Sequence, residues 1–388
     1  MSRLRVLHLI TRLELGGAQL NTLATCRGLD PTRFEAHLAC GPGGRIHPDG
    51  IPADRVHEIG SLVRQIDPLS DLRAARELRA LLAGLRPDIV HTHSSKAGIL
   101  GRRAAARARV PLVIHSVHGF AFAPGQPWPV RLAYQWLERR AAPLTRHFVF
   151  VSRADLLRAR QLGLCDTNAS LIRSGFPLDR FRGSTGDGAT VRRELGIPDG
   201  AVVCGTIAPF KPQKGLSFLL GIAARVAAGD PRVHFLIAGD GALRPRLEAE
   251  IRRLGLTERF HLPGFIDRVE RVMDAFDIGV STALWEGLPQ SLVQLRLKGL
   301  PVVVSDIPAH REVVREGENG FLCDVRDGDG FARRILRLAG DESLRRRIGA
   351  CAGDDFGEWD LAVMVRRQEE LYERLWRERS AGKREDER

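Results

Sequence analysis

The stretch Trp285-Glu286-Gly287-Leu288-Pro289-Gln290-Ser291-Leu292-Val293-Gln294, with Lys298-Gly299-Leu300-Pro301 behind it, decides how this chain is read. The apolar run 278–280 ahead of it predicts a buried parallel strand. Gly287 and Pro289 break the chain into a loop. Ser291, Leu292, Val293, Leu295 and Leu297 then carry a helix that stops at Gly299-Leu300-Pro301. Strand, tight loop and helix leave backbone N–H groups and a positive helix end at the carboxyl edge of a sheet, where a phosphate or another anion can sit. A carboxylate at the mouth of such a site repels phosphate, so Glu286 reads better as an acceptor for sugar hydroxyls.

The rest of the chain gives this stretch a setting. Its 388 residues suffice for two domains with full cores, and 44% apolar and 27% charged residues are ordinary for a globular enzyme. Six cysteines (26, 40, 165, 204, 323 and 351) lack metal-ligand spacing and read as reduced, mostly buried thiols of a cytoplasmic protein. The first apolar run, 6–10, is too short for a signal peptide and fits a strand. No run approaches a membrane span, so any membrane contact is expected to be peripheral, on the inner face. A net charge of +12, nearly all of it arginine, calls for an anionic partner: a nucleotide diphosphate, a lipid-linked diphosphate or an anionic membrane. Without a nucleic-acid module or basic–aromatic interleaving, nucleic acid is not expected.

Apolar runs and amphipathic helices alternate throughout, which predicts two doubly wound Rossmann-like α/β domains. Strands are expected at 6–10, 34–40, 112–117, 147–151, 202–207, 233–238 and 320–323, with one more running into Ser94-Ser95-Lys96. Gly16-Gly17 lets the backbone approach a ligand before a helix with Leu20, Leu23 and Cys26 inward. Ser152 reads as the N-cap of a helix over 154–162. Pro129 to Ala142 predicts a helix with Trp128, Leu132 and Trp136 on one face. It either packs on its domain or offers a basic, Trp-bearing surface to anionic lipid. His91 and His93 alternate on a strand as metal ligands do, yet no nearby carboxylate or cysteine completes a set, and core or loop histidines making one hydrogen bond fit better. Gly183-Ser184-Thr185-Gly186-Asp187-Gly188 has the composition of a flexible linker. Gly239-Asp240-Gly241 lacks the third glycine of a dinucleotide fingerprint, Arg244 standing there. Asp327-Gly328-Asp329 spells the D-x-D of metal-dependent transferases but reads as a turn.

At Glu286 to Val303 the chain resembles the retaining glycosyltransferases of family 4, whose fold is GT-B: two Rossmann-like domains facing across a cleft. The family pattern is a glutamate in E-G-L/F-P/G, a second glutamate eight positions on, then G-x-P-V-V. Glu286 and Gly299-Leu300-Pro301-Val302-Val303 match, and Gln294 replaces the second glutamate. The resemblance implies that Glu286, Gly287, Leu288 and Pro289 meet the donor sugar and Gln294 its ribose. It implies that Lys214 of Pro212-Gln213-Lys214-Gly215 grips the diphosphate, with Lys211 compensating for Pro209, where an arginine is expected. Gly16 and Gly17 would face the diphosphate or the acceptor. Ser94, Ser95 and Lys96 would form part of the acceptor cleft, and His118 would face the donor sugar. Gly239 and Phe265 would lie at the nucleotide.

The implied domains are 1–182 for the acceptor, a linker at 183–190, and 191–355 for the nucleotide sugar. A long helix over 355–379, apolar along Trp359, Val363, Leu371 and Leu375, would cross back onto the first domain ahead of a frayed tail, within a closing segment 356–388. The implied reaction moves a sugar from a UDP- or GDP-sugar to a glycan or lipid-linked acceptor hydroxyl, for bacterial surface polysaccharide or a lipid-linked intermediate. Anomeric configuration would be retained, with neither metal nor cofactor. A nucleotide-sugar epimerase, a dehydrogenase and a non-catalytic binding protein are the alternatives, the last favoured by Pro209 and Gln294.

Overall fold

The computed structural model describes residues 3–14, 16–122, 126–350 and 356–386, the side chains of 383–386 aside. Readings that touch Leu15, Cys351, Asp355 and residues 387–388 lie outside the described residues. The chain divides into two compact units, Met1–Phe176 with Gly357–Arg388, and Pro177–Phe356.

In the first unit, strands β1 (Leu4–Arg12), β2 (Phe34–Gly41), β3 (Val56–Glu58), β4 (Ile89–His93), β5 (Leu112–Val117), β6 (His147–Phe150) and β7 (Ala169–Leu171) form one sheet. Helices α1 (Gly17–Gly28), α2 (Pro68–Leu85), α3 (Ser95–Arg107), α4 (Trp128–Ala141) and α5 (Arg153–Gln161) connect them. The second unit repeats the plan with α6 (Gly188–Glu194), β8 (Val202–Ile207), α7 (Leu216–Gly229), β9 (Val233–Ala238), α8 (Arg244–Arg253) and β10 (Phe260–Gly264). It continues through α9 (Val269–Met273), β11 (Ile278–Ser281), α10 (Gln290–Leu297), β12 (Val302–Ser305), α11 (Pro308–Arg311), β13 (Gly320–Cys323), α12 (Gly328–Gly340) and α13 (Glu342–Ala350). The chain then rejoins the first unit as α14 (Leu361–Asp386).

The two strand orders are β3-β2-β1-β4-β5-β6-β7 and β10-β9-β8-β11-β12-β13, and the named strands pair in parallel. Both are doubly wound Rossmann orders, in which direction reverses beside the first strand: between β1 and β4, and between β8 and β11. Alternation explains the two-sided burial. Val6, Ile89 and Ile114 pack beneath α14 residues Met364, Leu371, Tyr372 and Leu375. Leu7, Leu9, Val90 and Val113 pack on the other face against Ala74, Leu78 and Leu82 of α2 and Ala97 and Ala104 of α3. Phe235 and Ile237 of β9 hold α7 through Leu219, Leu220 and Ala223 in the second unit.

Several expectations change. Leu20 is 53% exposed, because α1 buries Asn21 and Thr25 instead; the Asn21 amide lies against Met364 Sδ of α14. The segment 183–188 is held rather than loose: Ser184 and Thr185 hydrogen-bond the carboxylate of Asp274, which is buried with Lys298 at 2.5 Å. The last helix begins at Leu361 after a 3-10 turn at Gly357–Trp359 and runs to Asp386. Met364, Gln368 and Tyr372 are buried where Val363 is only half-buried. α2 begins at Pro68 because the Asp67 carboxylate caps the N–H groups of Leu69 and Ser70. Among the described residues no helix is long and apolar enough to cross a membrane.

Two buried polar assemblies carry consequences for stability. Arg102 of α3 is wholly buried, paired with Glu138 of α4 at 2.6 Å, and donates to the carbonyl of Gly98. Removing one partner of a buried pair costs about 3–5 kcal/mol. Glu138→Ala should therefore lower the urea-unfolding free energy by about that amount, with the double variant Arg102→Leu/Glu138→Leu recovering most of it. A loss below about 1 kcal/mol in the single variant would contradict the pairing.

Histidines 8, 91, 93 and 118 form the second assembly, and His115 is buried on the opposite face of the sheet against Thr92 and Phe148. Burial lowers His8 to about 3 and His118 to about 4, and holds His91, His93 and His115 well below the usual 6.5. The unfolded chain takes up these protons near pH 6.5 and the folded chain does not. Stability is therefore full above about 6.5 and falls as pH drops toward the folded values, by up to about 1.4 kcal/mol per pH unit for each group. Urea midpoints followed by circular dichroism should fall steadily from pH 7 to pH 5; a flat series would contradict the buried neutral rings.

Candidate functional site

In the second unit the β8–α7 and β11–α10 loops leave the carboxyl edge side by side, because β8 and β11 are sheet neighbours at the switch point. They are stitched together. The hydroxyl of Thr282 donates to the carbonyls of Lys214 and Gly215, both at 3.1 Å. The Leu284 N–H donates to the Gln213 carbonyl at 2.8 Å, and the Gln213 amide returns to the Trp285 carbonyl at 2.8 Å. Gly215 permits this approach. Its φ is +63°, and a Cβ there would stand 2.1 Å from the Thr282 carbonyl oxygen.

The stitching brings Lys214 and Glu286 together: the ammonium meets Glu286 Oε1 in an ion pair, while Gln213 Nε2 lies 3.3 Å from Oε2. Both side chains are largely buried, at 17% and 9% exposure, so the pair sits where water screens it weakly. Gly287 and Leu288 follow in the loop, Pro289 is buried as the N-cap residue, and Gln294 sits half-buried on α10. The first N–H groups of α10 lie just beyond, and an α-helix leaves such groups without partners of its own.

Two other predicted positions join this edge. Gly239, at the end of β9, takes φ +145°, and a Cβ there would be 2.0 Å from the Ala208 carbonyl, so β8 and β9 loops touch through it. Phe265, beyond β10, is 59% exposed. Lys211 is exposed on the β8 loop. Arg244, standing where a dinucleotide fingerprint has its third glycine, pairs with Asp240 and Glu248 and lies over the Phe210 ring. The D-x-D carboxylates are engaged structurally: Asp327 caps α12 through the Gly330 N–H, and Asp329 pairs with Arg225 at 2.8 Å.

The first unit gathers its candidates at the corresponding switch point. Gly16 is the N-cap residue of α1, with Gly17 its first residue. Ser94 stands at the N-cap position of α3 with φ +63°, a costly conformation for serine, and its hydroxyl meets that of Thr11 at 2.7 Å rather than capping the helix. Ser95 opens α3. Lys96 turns away to Asp71, 2.5 Å distant, and to the Gln65 carbonyl, so its charge is already engaged within the unit. His118 is half-buried just past β5, its Nε2 3.1 Å from His93 Nδ1.

Sequence reasoning missed His8. It lies beside His91 in register, and the ring nitrogens of His8, His91 and His93 come within 4.8 Å of one another. A histidine amid the apolar run of β1 was the available signal. The metal reading of His91 and His93 meets competition here, because Tyr372 Oη and Ser116 Oγ occupy the two nitrogens of His91 at 2.6 and 2.8 Å. His93 is likewise bonded at both nitrogens.

Comparison with known proteins places these features. Residues 16–175 match the family described as glycosyl transferase 4-like domain, and residues 200–341 match glycosyl transferases group 1. A UDP-Gal:alpha-D-GlcNAc-diphosphoundecaprenol alpha-1,3-galactosyltransferase of Escherichia coli is 29% identical over 375 residues, covering 96% of this chain and 97% of that one. A D-inositol 3-phosphate glycosyltransferase of Streptomyces bingchenggensis is 29% identical over 78% of this chain and 74% of its own. Among solved structures, Anabaena Alr3699/HepE in complex with UDP-glucose matches with TM-score 0.81 at 23% identity, over 96% of this chain and 100% of that one. Sucrose-phosphate synthase from Thermosynechococcus elongatus matches with TM-score 0.83 at 18% identity, over 96% and 99%. With a family domain matched in each unit and a relative aligned along nearly its whole length, the chain belongs to the group 1 glycosyltransferases of the GT-B fold.

Proposed function

We propose that this protein is a retaining, metal-independent glycosyltransferase that moves a sugar from a UDP-sugar to a hydroxyl of a lipid-linked glycan. The observation that carries the reading is the Lys214–Glu286 pair at the carboxyl edge of β8 and β11, beside the N-terminus of α10. Breaking a glycosidic bond to a nucleotide diphosphate builds negative charge on the leaving phosphate. A lysine together with unpaired amides at a helix N-terminus stabilises that charge in a desolvated site. Lys214 is the cation we assign to the diphosphate, helped by Lys211. Glu286 orients the donor sugar through its hydroxyls, and Gln294 holds the ribose. His118 and Ser94 are the first-unit groups we assign to substrate. No protein nucleophile is assigned; the departing phosphate oxygen takes the acceptor proton on the face it leaves. UDP is favoured over GDP because the Escherichia coli relative is named for a UDP-sugar and Alr3699/HepE was solved with UDP-glucose. That relative's name also supports a diphosphate-linked polyprenol acceptor.

A lipid-linked acceptor asks for a membrane-facing surface, and the exposed face of α4 is the one we offer for it. Trp128, Leu132 and Trp136 recur at helical spacing, 71%, 53% and 54% exposed, and Arg140 lies 4.8 Å from the Trp136 ring. We assign this face to the anionic inner leaflet, where tryptophan sits at headgroup depth and arginine meets lipid phosphate. A cytoplasmic, peripheral location follows from that assignment.

Lys214→Ala should lower kcat/KM by roughly 10²–10³, the loss typical of one anion-stabilising donor. Glu286→Gln should be severely impaired, each variant still unfolding cooperatively though at a lower melting temperature because its partner is left unpaired, and turnover should persist in EDTA. Near-normal turnover in either variant would remove the assignment, and inversion of the product's anomeric configuration would remove retention. Full-length protein should float with phosphatidylglycerol vesicles at low salt, and Trp128→Ala/Trp136→Ala should sediment; wild type failing to float would remove the membrane face.

A further inference from the structure

Three histidines run in line through the first unit to its carboxyl edge. His8 Nδ1 lies 3.1 Å from His93 Nε2, and His93 Nδ1 lies 3.1 Å from His118 Nε2. The rings of His8 and His93 are stacked, 5.4 Å apart at 20°. His8 and His93 are fully buried, while His118 is half-buried beyond the end of β5. His8 Nε2, at the inner end, is buried without a hydrogen-bond partner.

A neutral imidazole has one N–H and one bare nitrogen, so each contact in this chain needs one donor and one acceptor. Only two arrangements satisfy both contacts. Either every proton lies on Nδ1, pointing outward from His8 toward His118, or every proton lies on Nε2, pointing inward. The inward arrangement strands a buried N–H at His8 Nε2, and orphaned buried donors are rarer in proteins than orphaned acceptors. The same chain offers a precedent. His310 Nδ1 donates to the Ser305 carbonyl, which can only accept, so its partnerless Nε2 is the bare nitrogen. Burial keeps the rings neutral: His8 is lowered to about 3 and His118 to about 4, and His93 lies well below the usual 6.5. A mobile proton therefore does not scramble the order at neutral pH.

We propose that His8 and His93 are positioning residues whose hydrogen-bonded chain fixes His118 as the Nδ1–H tautomer, so that the ring edge it presents at the carboxyl end of β5 is a neutral hydrogen-bond donor. Such a group serves a sugar hydroxyl or phosphate oxygen and cannot take up the acceptor's proton. The use of that donor in transfer rests on the glycosyltransferase reading above; the tautomer itself does not.

Nitrogen-15 NMR of the full chain labelled at histidine distinguishes protonated from bare ring nitrogens without donor or acceptor present. His118 and His93 are expected to be protonated at Nδ1 and bare at Nε2, and His8 bare at Nε2. A proton on His118 Nε2 in the wild-type chain overturns the proposal. His93→Leu is expected to release His118 into a mixture of tautomers and to lower kcat about tenfold, with a smaller change in KM, the scale of one lost orienting hydrogen bond. His93→Asn, whose amide N–H replaces the Nδ1 donor, should restore both tautomer and kcat. An unchanged His118 tautomer in a folded His93→Leu chain overturns the proposal as well. If that variant does not fold, the wild-type spectrum decides alone. Absence of turnover in unmodified protein counts against the transferase reading and leaves the tautomer assignment standing.

Discussion

The adjacency of β8 and β11 is the constraint on which the second unit's chemistry depends. Lys214 and Glu286 are 72 positions apart in sequence, and only the reversal of strand order beside β8 makes their loops neighbours. Strands buried on both faces cannot carry polar groups in their middles without hydrogen-bond partners, so chemistry collects at their carboxyl ends. Close approach is then limited by Cβ atoms, which is why Gly215 and Gly239 stand where loops cross within about 2 Å of where a side chain would begin. The same crowding fixes Thr282 and Gln213, whose hydrogen bonds hold the two loops at the spacing the ion pair needs.

The first unit uses the same architecture with a different filling. Its switch point lies between β1 and β4, and the interior there is polar: His8, His91, His93 and Ser116 beneath Tyr372 of α14. Each such group gives up hydration on folding and recovers it only through a satisfied network. The histidines remain uncharged inside a chain of net charge +12, so the unit's excess positive charge resides on its arginines and not at this centre. A centre of neutral donors and acceptors is suited to hydroxyls, whereas Lys214 supplies formal charge in the other unit.

Much of this was legible from residue order because the signals were local. Apolar runs marked β1, β5, β8 and β9, Ser152 marked the cap of α5, and the Gly-Leu-Pro after α10 marked its stop. The turn reading of Asp327-Gly328-Asp329 agrees with the cap that Asp327 forms. What escaped was nonlocal. Leu20 reads as a core residue until Met364, 344 positions later, is seen to demand the polar face of α1. The segment 183–188 looks like a tether until Asp274 and Lys298 are placed beneath it. His8 reads as a stray polar residue in a strand, and its value emerges only when register sets it beside His91. Lys96 carried the right charge in the right loop, but Asp71 of α2 claims it.

The pairing of Lys214 with Glu286 also bears on how such a site can be both folded and ready. A lysine kept largely from water for a future diphosphate is an uncompensated charge in the free chain, and burial of that kind is costly. Glu286 removes the cost by neutralising it in place, and under the proposed function an arriving diphosphate would exchange one anionic partner for another. The carboxylate freed by that exchange would lie beside the Gly287–Pro289 loop, near Gln213, with oxygens able to accept from hydroxyls. Under that reading, one ion pair reconciles stability without ligand with recognition of a charged group and a neutral one. This is why the acid and the lysine have to be neighbours and not merely members of the same unit.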